Sequence, residues 1–321
     1  MKRIGIITGS SSGMGECFAR QAAVESALLK KHGKDFFLDE LWLIARREDR
    51  LKNVKLSIEK EALQKNIRIP LIKVFSIDIS GTEGALKIKE LLEKEAGTIS
   101  GGTSNKAGTL TGVNTGTLNN NGAGGVDTLN TGDGGSSNDP DGLTVSLLVN
   151  NAGFGTYGEF ASTDTMREMQ MIDLDCTSLT GITGFALPYM KKGSRIINTA
   201  SLASFMPLGN FAVYGACKAY VLSFSVALAA ELKPKGISVT ALCPGPVSTE
   251  FADVASKGAR KEVRHGLSPE KTVAHCLKAS RRKKLYSMFA FKWKFKAIMS
   301  RFIGRYAGAW FTFKYCKRPS N

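Results

Sequence analysis

The chain has 321 residues, 43% hydrophobic and 22% charged, the composition of an ordinary globular protein with enough length for one large core. Its six cysteines, at 17, 176, 217, 243, 276 and 316, show no CxxC and no regular spacing; this argues against a disulfide framework or a metal site and suits a reducing, cytoplasmic compartment. The net charge of +16 sits in the tail: residues 271–321 hold 14 Lys or Arg and no Asp or Glu, against 30 basic and 28 acidic side chains before them, so the body lacks the basic face of a nucleic-acid binder.

The start, "MKRIGIIT", is basic then apolar, but too short for a signal peptide before glycine-rich sequence begins. No segment is expected to reach the length of a transmembrane helix. In chain order, apolar runs predict strands at 3–8, 41–46, 71–77, 146–150, 195–200 and 238–243. Helix-like periodicity covers 14–31, 48–65, 82–95 and 211–233. Strands that are apolar on both faces and alternate with helices predict an α/β fold, a Rossmann-type doubly wound parallel sheet in a single domain. Residues 97–142 break the pattern, since 36 of the 46 are Gly, Thr, Asn, Ser or Asp. Such a stretch cannot bury enough apolar surface to offset its ordering entropy and is expected to be a flexible, low-complexity insertion. The catalytic domain is thus expected to span 1–284, with a basic, aromatic C-terminal extension over 285–321.

Two stretches carry chemistry. "TGSSSGMG" (8–15) follows the first strand and opens a helix. Its glycines permit a tight turn and a close approach of a pyrophosphate to the helix N-terminus, where unpaired N–H groups favour anions. "AVYGACKAY" (212–220) places Tyr214 and Lys218 one helical turn apart; an ammonium beside a phenol favours the phenolate, as a proton donor requires.

Together with other motifs, these make the chain resemble the short-chain dehydrogenase/reductase family over about residues 3–280. Gly9, Gly13 and Gly15 match its glycine loop, "NNAG" (150–153) follows the fourth strand, and Asp78 follows the third. Ser201, Tyr214 and Lys218 match the Ser…YxxxK arrangement, and "PGPVST" (244–249) matches the motif after the sixth strand. The resemblance implies that Tyr214 is the acid/base, that Lys218 lowers its pKa and holds the nicotinamide ribose, and that Ser201 hydrogen-bonds the substrate carbonyl. It further implies a cofactor site of Gly9, Ser11, Ser12, Gly13, Met14 and Gly15, with Asp78 near the adenine. Asn151, Ala152 and Gly153 would complete it, with Pro244, Gly245, Val247 and Thr249 flanking the nicotinamide. Tyr220 is left as a packing residue.

One position departs from the family, which usually has an Asn in the helix after the fourth strand. Here Asp175 takes that place, either within the proton relay or, with Asp173, merely solvated. At the end of the second strand Arg46 and Arg47 stand where NAD enzymes usually carry an acid. Guanidinium groups suit a 2′-phosphate, so NADP(H) is favoured over NAD(H). Ser12 replaces the basic residue of some NADP-using members, and Glu48 and Asp49 leave open a merely solvated helix start.

The implied function is an NADPH-dependent carbonyl reductase or alcohol dehydrogenase acting on a small-molecule ketone or aldehyde. The alternative is a cofactor-sensing protein of the same fold, weakened by Asp175. A homodimer or homotetramer is implied, through the helices bearing Asp175 and Tyr214. Residues 250–270 read as too polar to define a substrate pocket by themselves, while the aromatic tail points to an apolar substrate. In that tail, apolar residues at 295, 299, 302, 306 and 310 form a helical stripe opposite Lys294, Arg301 and Arg305. The stripe would cover the cleft, join a neighbouring subunit, or let residues 285–318 adsorb to an anionic membrane.

Overall fold

The computed structural model describes residues 1–32, 37–100, 142–260, 263 and 266–318, with backbone alone at 98–100. The first half alternates strictly: β1 (Lys2–Thr8), α1 (Gly13–Lys31), β2 (Glu40–Ala45), α2 (Glu48–Gln64), β3 (Leu71–Ser76), α3 (Gly81–Ser100) and β4 (Leu143–Asn150). There follow α4 (Thr165–Ile172), a π-helical turn (Asp173–Ser178), α5 (Leu179–Ala186), β5 (Arg195–Thr199) and α6 (Ala212–Leu232). The chain continues through β6 (Ser238–Leu242), α7 (Phe251–Ala255), α8 (Pro269–Arg281) and β7 (Tyr286–Ser287) to α9 (Phe291–Met299) and α10 (Arg305–Tyr315).

All seven strands pair in parallel in the order β3-β2-β1-β4-β5-β6-β7. Alternation along each strand divides its side chains between two cores. Ile4 and Ile6 of β1 with Trp42 and Ile44 of β2 face α3, α5 and α6, meeting Ile88, Ile182 and Leu228. Ile7, Leu41 and Leu43 face the other layer and meet Phe18 of α1, Leu51 of α2 and Val273 of α8. Each such side chain, fully removed from water, contributes about 1.5–3 kcal/mol. The strand order reverses between β1 and β4, which opens a crevice at their carboxyl ends.

Four expectations are altered. The segment expected to be flexible from residue 97 begins inside α3, which continues to Ser100 because each added residue extends an existing helix by one hydrogen bond; positions 101–141 lie outside the described residues. The boundary expected after residue 284 falls just before β7, which completes the sheet beside β6. The expected single stripe over 295–310 is two helices, since α9 ends at Met299 and Gly304 precedes α10 in an extended conformation. Finally, α6 does have the length and apolarity of a membrane span, with 21 residues and a mean hydropathy of 1.4. Its buried face, Tyr214, Lys218, Val221, Ser225, Leu228 and Leu232, recurs at helical spacing and packs against the protein.

Candidate active site

The carboxyl ends of β1 and β4 are joined through Thr8. Its Oγ1 accepts from the backbone N–H groups of Asn151 and Ala152, both at 3.0 Å, while Asn151 Nδ2 donates to the Thr8 carbonyl at 3.3 Å. Close backbone approach follows. A Cβ on Gly9, whose φ is +66°, would stand 2.8 Å from Ala152 Cα, and one on Gly15 would stand 2.0 Å from the Gly9 carbonyl oxygen. The loop is a cradle that side chains would fill, opening onto the start of α1.

A cavity of about 680 Å³ runs from this cradle across the sheet edge. Gly9, Ser11, Ser12, Gly13 and Met14 line one end, with Arg46, Arg47 and Asp78 beside them; Gly15 lies behind the wall. Asn151, Ala152 and Gly153 line the middle, opposite Pro244, Gly245, Val247 and Thr249. Ser201, Tyr214 and Lys218 meet at the far side. Segment 250–270, read from its sequence as too polar for a pocket, contributes Phe251, Val254 and Val263 to the wall.

Ser201 caps the short 3₁₀ helix Leu202–Phe205, its Oγ accepting from Ala203 N–H at 3.1 Å. Leu202 N–H donates to the Pro244 carbonyl at 2.9 Å, tying that turn to the loop after β6. Tyr214 is stacked on Phe211, with ring centroids 4.1 Å apart, and shares the cavity wall with Ser201. Lys218 Nζ donates to the Thr199 carbonyl at 3.1 Å and lies 2.9 Å from Asp175 Oδ2. Asp175 Oδ1 accepts from the Phe154 N–H at 3.1 Å, so the carboxylate spans the β4 loop and α6. Asp175 is 1% exposed and lies behind the cavity wall, beneath Lys218.

Electrostatics follow from that burial. Desolvation raises the Tyr214 phenol above its ordinary value; Lys218 and the Ser201 side chain pull it down, and Asp175 pushes it up again. Desolvation alone would lower Lys218, but Asp175 and Tyr214 more than offset it, and the ammonium is pushed up to about 12. Burial raises the Asp175 carboxyl, against the pull of Lys218. Lys218 is thus a cation shared between a carboxylate and a phenol.

At the end of the cavity beside the glycine cradle, Arg47 Nη2 donates to Ser12 Oγ at 2.8 Å and to Ser11 Oγ at 3.2 Å, while its Nη1 pairs with Glu250 at 3.1 Å. Arg50 pairs with the same carboxylate. Arg46 is exposed and 3.9 Å from Asp78. Burial alone would raise the Asp78 carboxyl, yet two hydrogen bonds from Ser80 and the nearby Arg46 hold it below its ordinary value.

Several residues that shape the site were not picked out in sequence. Thr8 stood inside the quoted glycine motif without a role. Asn150 donates to Asn198 Oδ1 and Thr183 Oγ1, both at 2.9 Å, and Asn198 donates to Ser225 Oγ at 3.0 Å; this buried chain fixes α6 to β4 and β5. Trp293 of α9 sits against Gly245, where a Cβ would be 2.3 Å from its ring. Tyr220, by contrast, is partly exposed and hydrogen-bonds Thr180 on the far side of α6, at 2.7 Å.

The family model described as short chain dehydrogenase matches residues 142–260, the segment that carries Asp175, Ser201, Tyr214 and Lys218. Residues 142–260 are thus a short-chain dehydrogenase/reductase segment. It is 36% identical over 122 residues to a serine 3-dehydrogenase of Agrobacterium fabrum, covering 37% of this chain and 49% of that protein. The chain therefore spans about half the length of the curated relatives it matches. Solved structures share the fold at greater length. A short-chain dehydrogenase from Sphingobium yanoikuyae in complex with NADPH superposes with a TM-score of 0.64 at 20% identity, covering 94% of this chain and 93% of that one. One from Burkholderia phymatum in complex with NAD gives 0.65 at 16% identity, covering 100% and 97%.

Proposed function

We propose that the protein is an NADPH-dependent reductase of a ketone or aldehyde, reversible with the corresponding alcohol. The observation that carries this reading is the convergence of the Tyr214 phenol, Ser201 hydroxyl and Lys218 ammonium in one cavity that continues into the glycine cradle. The residues present fit a nicotinamide dinucleotide. The cradle at Gly9 and Gly15 has no room for a Cβ, and the N–H groups opening α1 suit a pyrophosphate. Trp293 Nε1, buried and without a hydrogen-bond partner among the described residues, offers a donor beside Gly245. Arg47, held over Ser11 and Ser12, suits a 2′-phosphate and favours NADP(H), although Glu250 competes for it. Of those two solved structures sharing the fold, one is in complex with NADPH and the other with NAD.

Such a cofactor supplies the hydride. The protein's part is placement and charge. Ser201 and Tyr214 hydrogen-bond the carbonyl oxygen, and Tyr214 gives its proton to that oxygen as it becomes an alkoxide. Lys218 then faces the resulting phenolate and stabilises it until solvent returns the proton. Asp175 holds Lys218 in place and keeps it charged, at the cost of raising the phenol. NADPH oxidation against a panel of ketones and aldehydes tests the reading: turnover that Tyr214→Phe abolishes supports it, and no turnover from wild type across the panel contradicts it.

The Asp175–Lys218 pair favours a second reading, a cofactor-sensing protein with weakened catalysis; tight NADPH binding with no turnover on the same panel would support it. For assembly, exposed Met166, Met169, Ile172 and Tyr220 on α4 and α6 suit a homodimer or homotetramer, which sedimentation equilibrium would test. We also place the protein in the cytoplasm, with α9 and α10 able to touch an anionic membrane. Their outward face exposes Phe291, Phe295, Phe302, Tyr306 and Trp310 among basic residues, with no acid beyond residue 270. Co-sedimentation with phosphatidylserine vesicles, lost in Phe302→Ser/Tyr306→Ser, tests that contact; equal recovery with neutral vesicles contradicts it.

A further inference from the structure

The cavity has an end that the cofactor reading leaves unused. Beyond Tyr214 its walls are aromatic and aliphatic, with Phe205, Leu208, Phe211 and Phe251 among them; the charged side chains there are Arg260, Lys296 and Arg318, beside the neutral hydroxyls of Tyr157 and Ser300. Among the described residues no Asp or Glu lines this end. The acids that line the cavity, Asp78 and Glu250, stand at the cradle end beside Arg46 and Arg47.

Arg318 reaches the cavity because the tail folds back over it. Gly209 N–H donates to Thr312 Oγ1 at 2.8 Å and Asn210 Nδ2 donates to the Phe313 carbonyl at 2.9 Å, docking α10 on the segment just before α6. The contact is close, since a Cβ on Gly308 would stand 2.2 Å from Met206 Sδ. Arg318 Nη1 then donates to the Gly209 carbonyl at 3.2 Å, and the guanidinium lies over the Phe211 ring, 4.9 Å from its centroid. Phe211 in turn stacks on Tyr214. The guanidinium is therefore one aromatic ring away from the acid/base. Burial pulls it below its ordinary value, with Arg260 adding like-charge repulsion and no carboxylate among the described residues bonded to it. A cation that has lost water, has gained one neutral carbonyl and lines an apolar pocket suits an anionic ligand.

We propose that the substrate is a carbonyl compound with an apolar body and an anionic group at the end remote from the carbonyl, and that Arg318 binds that group. This rests on the reductase reading for the carbonyl end; the anion site itself stands on the geometry of Arg318. An aromatic or aliphatic keto acid fits both ends, its carbonyl at Ser201 and Tyr214 and its carboxylate one ring-length away. A guanidinium is the better cation here than an ammonium, because its planar fork takes a carboxylate through two parallel hydrogen bonds while its face stays on Phe211.

The test uses the full chain and two matched probes, 4-oxo-4-phenylbutanoate and its methyl ester, with 5-oxo-5-phenylpentanoate and its ester as a longer pair. Calorimetry reads binding, and NADPH oxidation reads turnover. Wild type should bind and reduce the better acid at least about tenfold more effectively than its ester. Arg318→Gln should erase that preference while changing kcat/KM for the ester less than about threefold, and Arg318→Lys should restore part of it. Equal binding of acid and ester by wild type overturns the proposal. So does a loss in Arg318→Gln that falls equally on acid and ester, the mark of a residue that merely docks the tail. If no carbonyl compound is reduced but the acid still binds through Arg318, the anion site stands and the reductase reading fails. If neutral ketones are reduced and the acids neither bind nor react, the reverse holds.

Discussion

Asp175 and Lys218 form an ion pair, 2.9 Å from Oδ2 to Nζ, buried directly behind Tyr214. The lysine that should stabilise a phenolate is already engaged by a carboxylate, and both charges are out of water. Stability and acid–base behaviour therefore depend on the same contact.

For stability, removing one member leaves an uncompensated buried charge. Lys218→Met and Asp175→Asn should each cost on the order of 3–5 kcal/mol, and Lys218→Met/Asp175→Leu should recover most of the loss. Urea unfolding of the three variants checks this. Recovery of stability without activity in the double variant separates the structural role of the pair from its chemical one.

For acid–base behaviour, alcohol oxidation needs Tyr214 deprotonated, and Asp175 raises that phenol. Asp175→Asn should thus move the rising limb of the oxidation pH–rate curve toward lower pH, by roughly one unit or about 1.4 kcal/mol. The apparent value belongs to the coupled Tyr–Lys–Asp set. An unchanged curve, or a shift toward higher pH, would remove Asp175 from the relay.

Arg47 is shared between Ser11, Ser12 and Glu250. Arg47→Ala should lower kcat/KM for NADPH by at least about tenfold and leave NADH within a few fold. Glu250→Gln should sharpen the preference for NADPH, because a released guanidinium no longer divides its charge. Steady-state kinetics with both cofactors decide it, and equal wild-type values for the two would contradict the assignment.

Gly245 meets the Trp293 ring so closely that a methyl group has no room. Gly245→Ala should displace α9 at a cost of about 1–3 kcal/mol and red-shift the tryptophan fluorescence. An unchanged spectrum with wild-type stability would show that α9 is not seated there.

What could be read in sequence was local. The glycine loop lies within eight residues, Tyr214 and Lys218 share one helical turn, and apolar runs located six strands because a sheet covered on both faces must be apolar on both. The two-residue β7 and the extra turn of α3 leave too little periodicity to see. Trp293 and Arg318 reach the cavity only through the fold-back of α9 and α10, and the partner of Arg47 is 203 residues distant. Such contacts have no local pattern. The aromatic, basic tail was visible as composition, but its division at Gly304 and its docking on Gly209 depend on backbone fit.

The central claim is that Tyr214 is the proton donor of a hydride-transfer enzyme, and Tyr214→Phe measured by both turnover and cofactor binding tests it most directly. The phenyl ring keeps the stack on Phe211 and loses only the hydroxyl. Turnover should fall on the order of 10³-fold while the NADPH dissociation constant stays within about threefold, and Tyr220→Phe, which loses its bond to Thr180, should be nearly silent. Retained turnover in Tyr214→Phe, or equal losses in the two variants, would contradict the account.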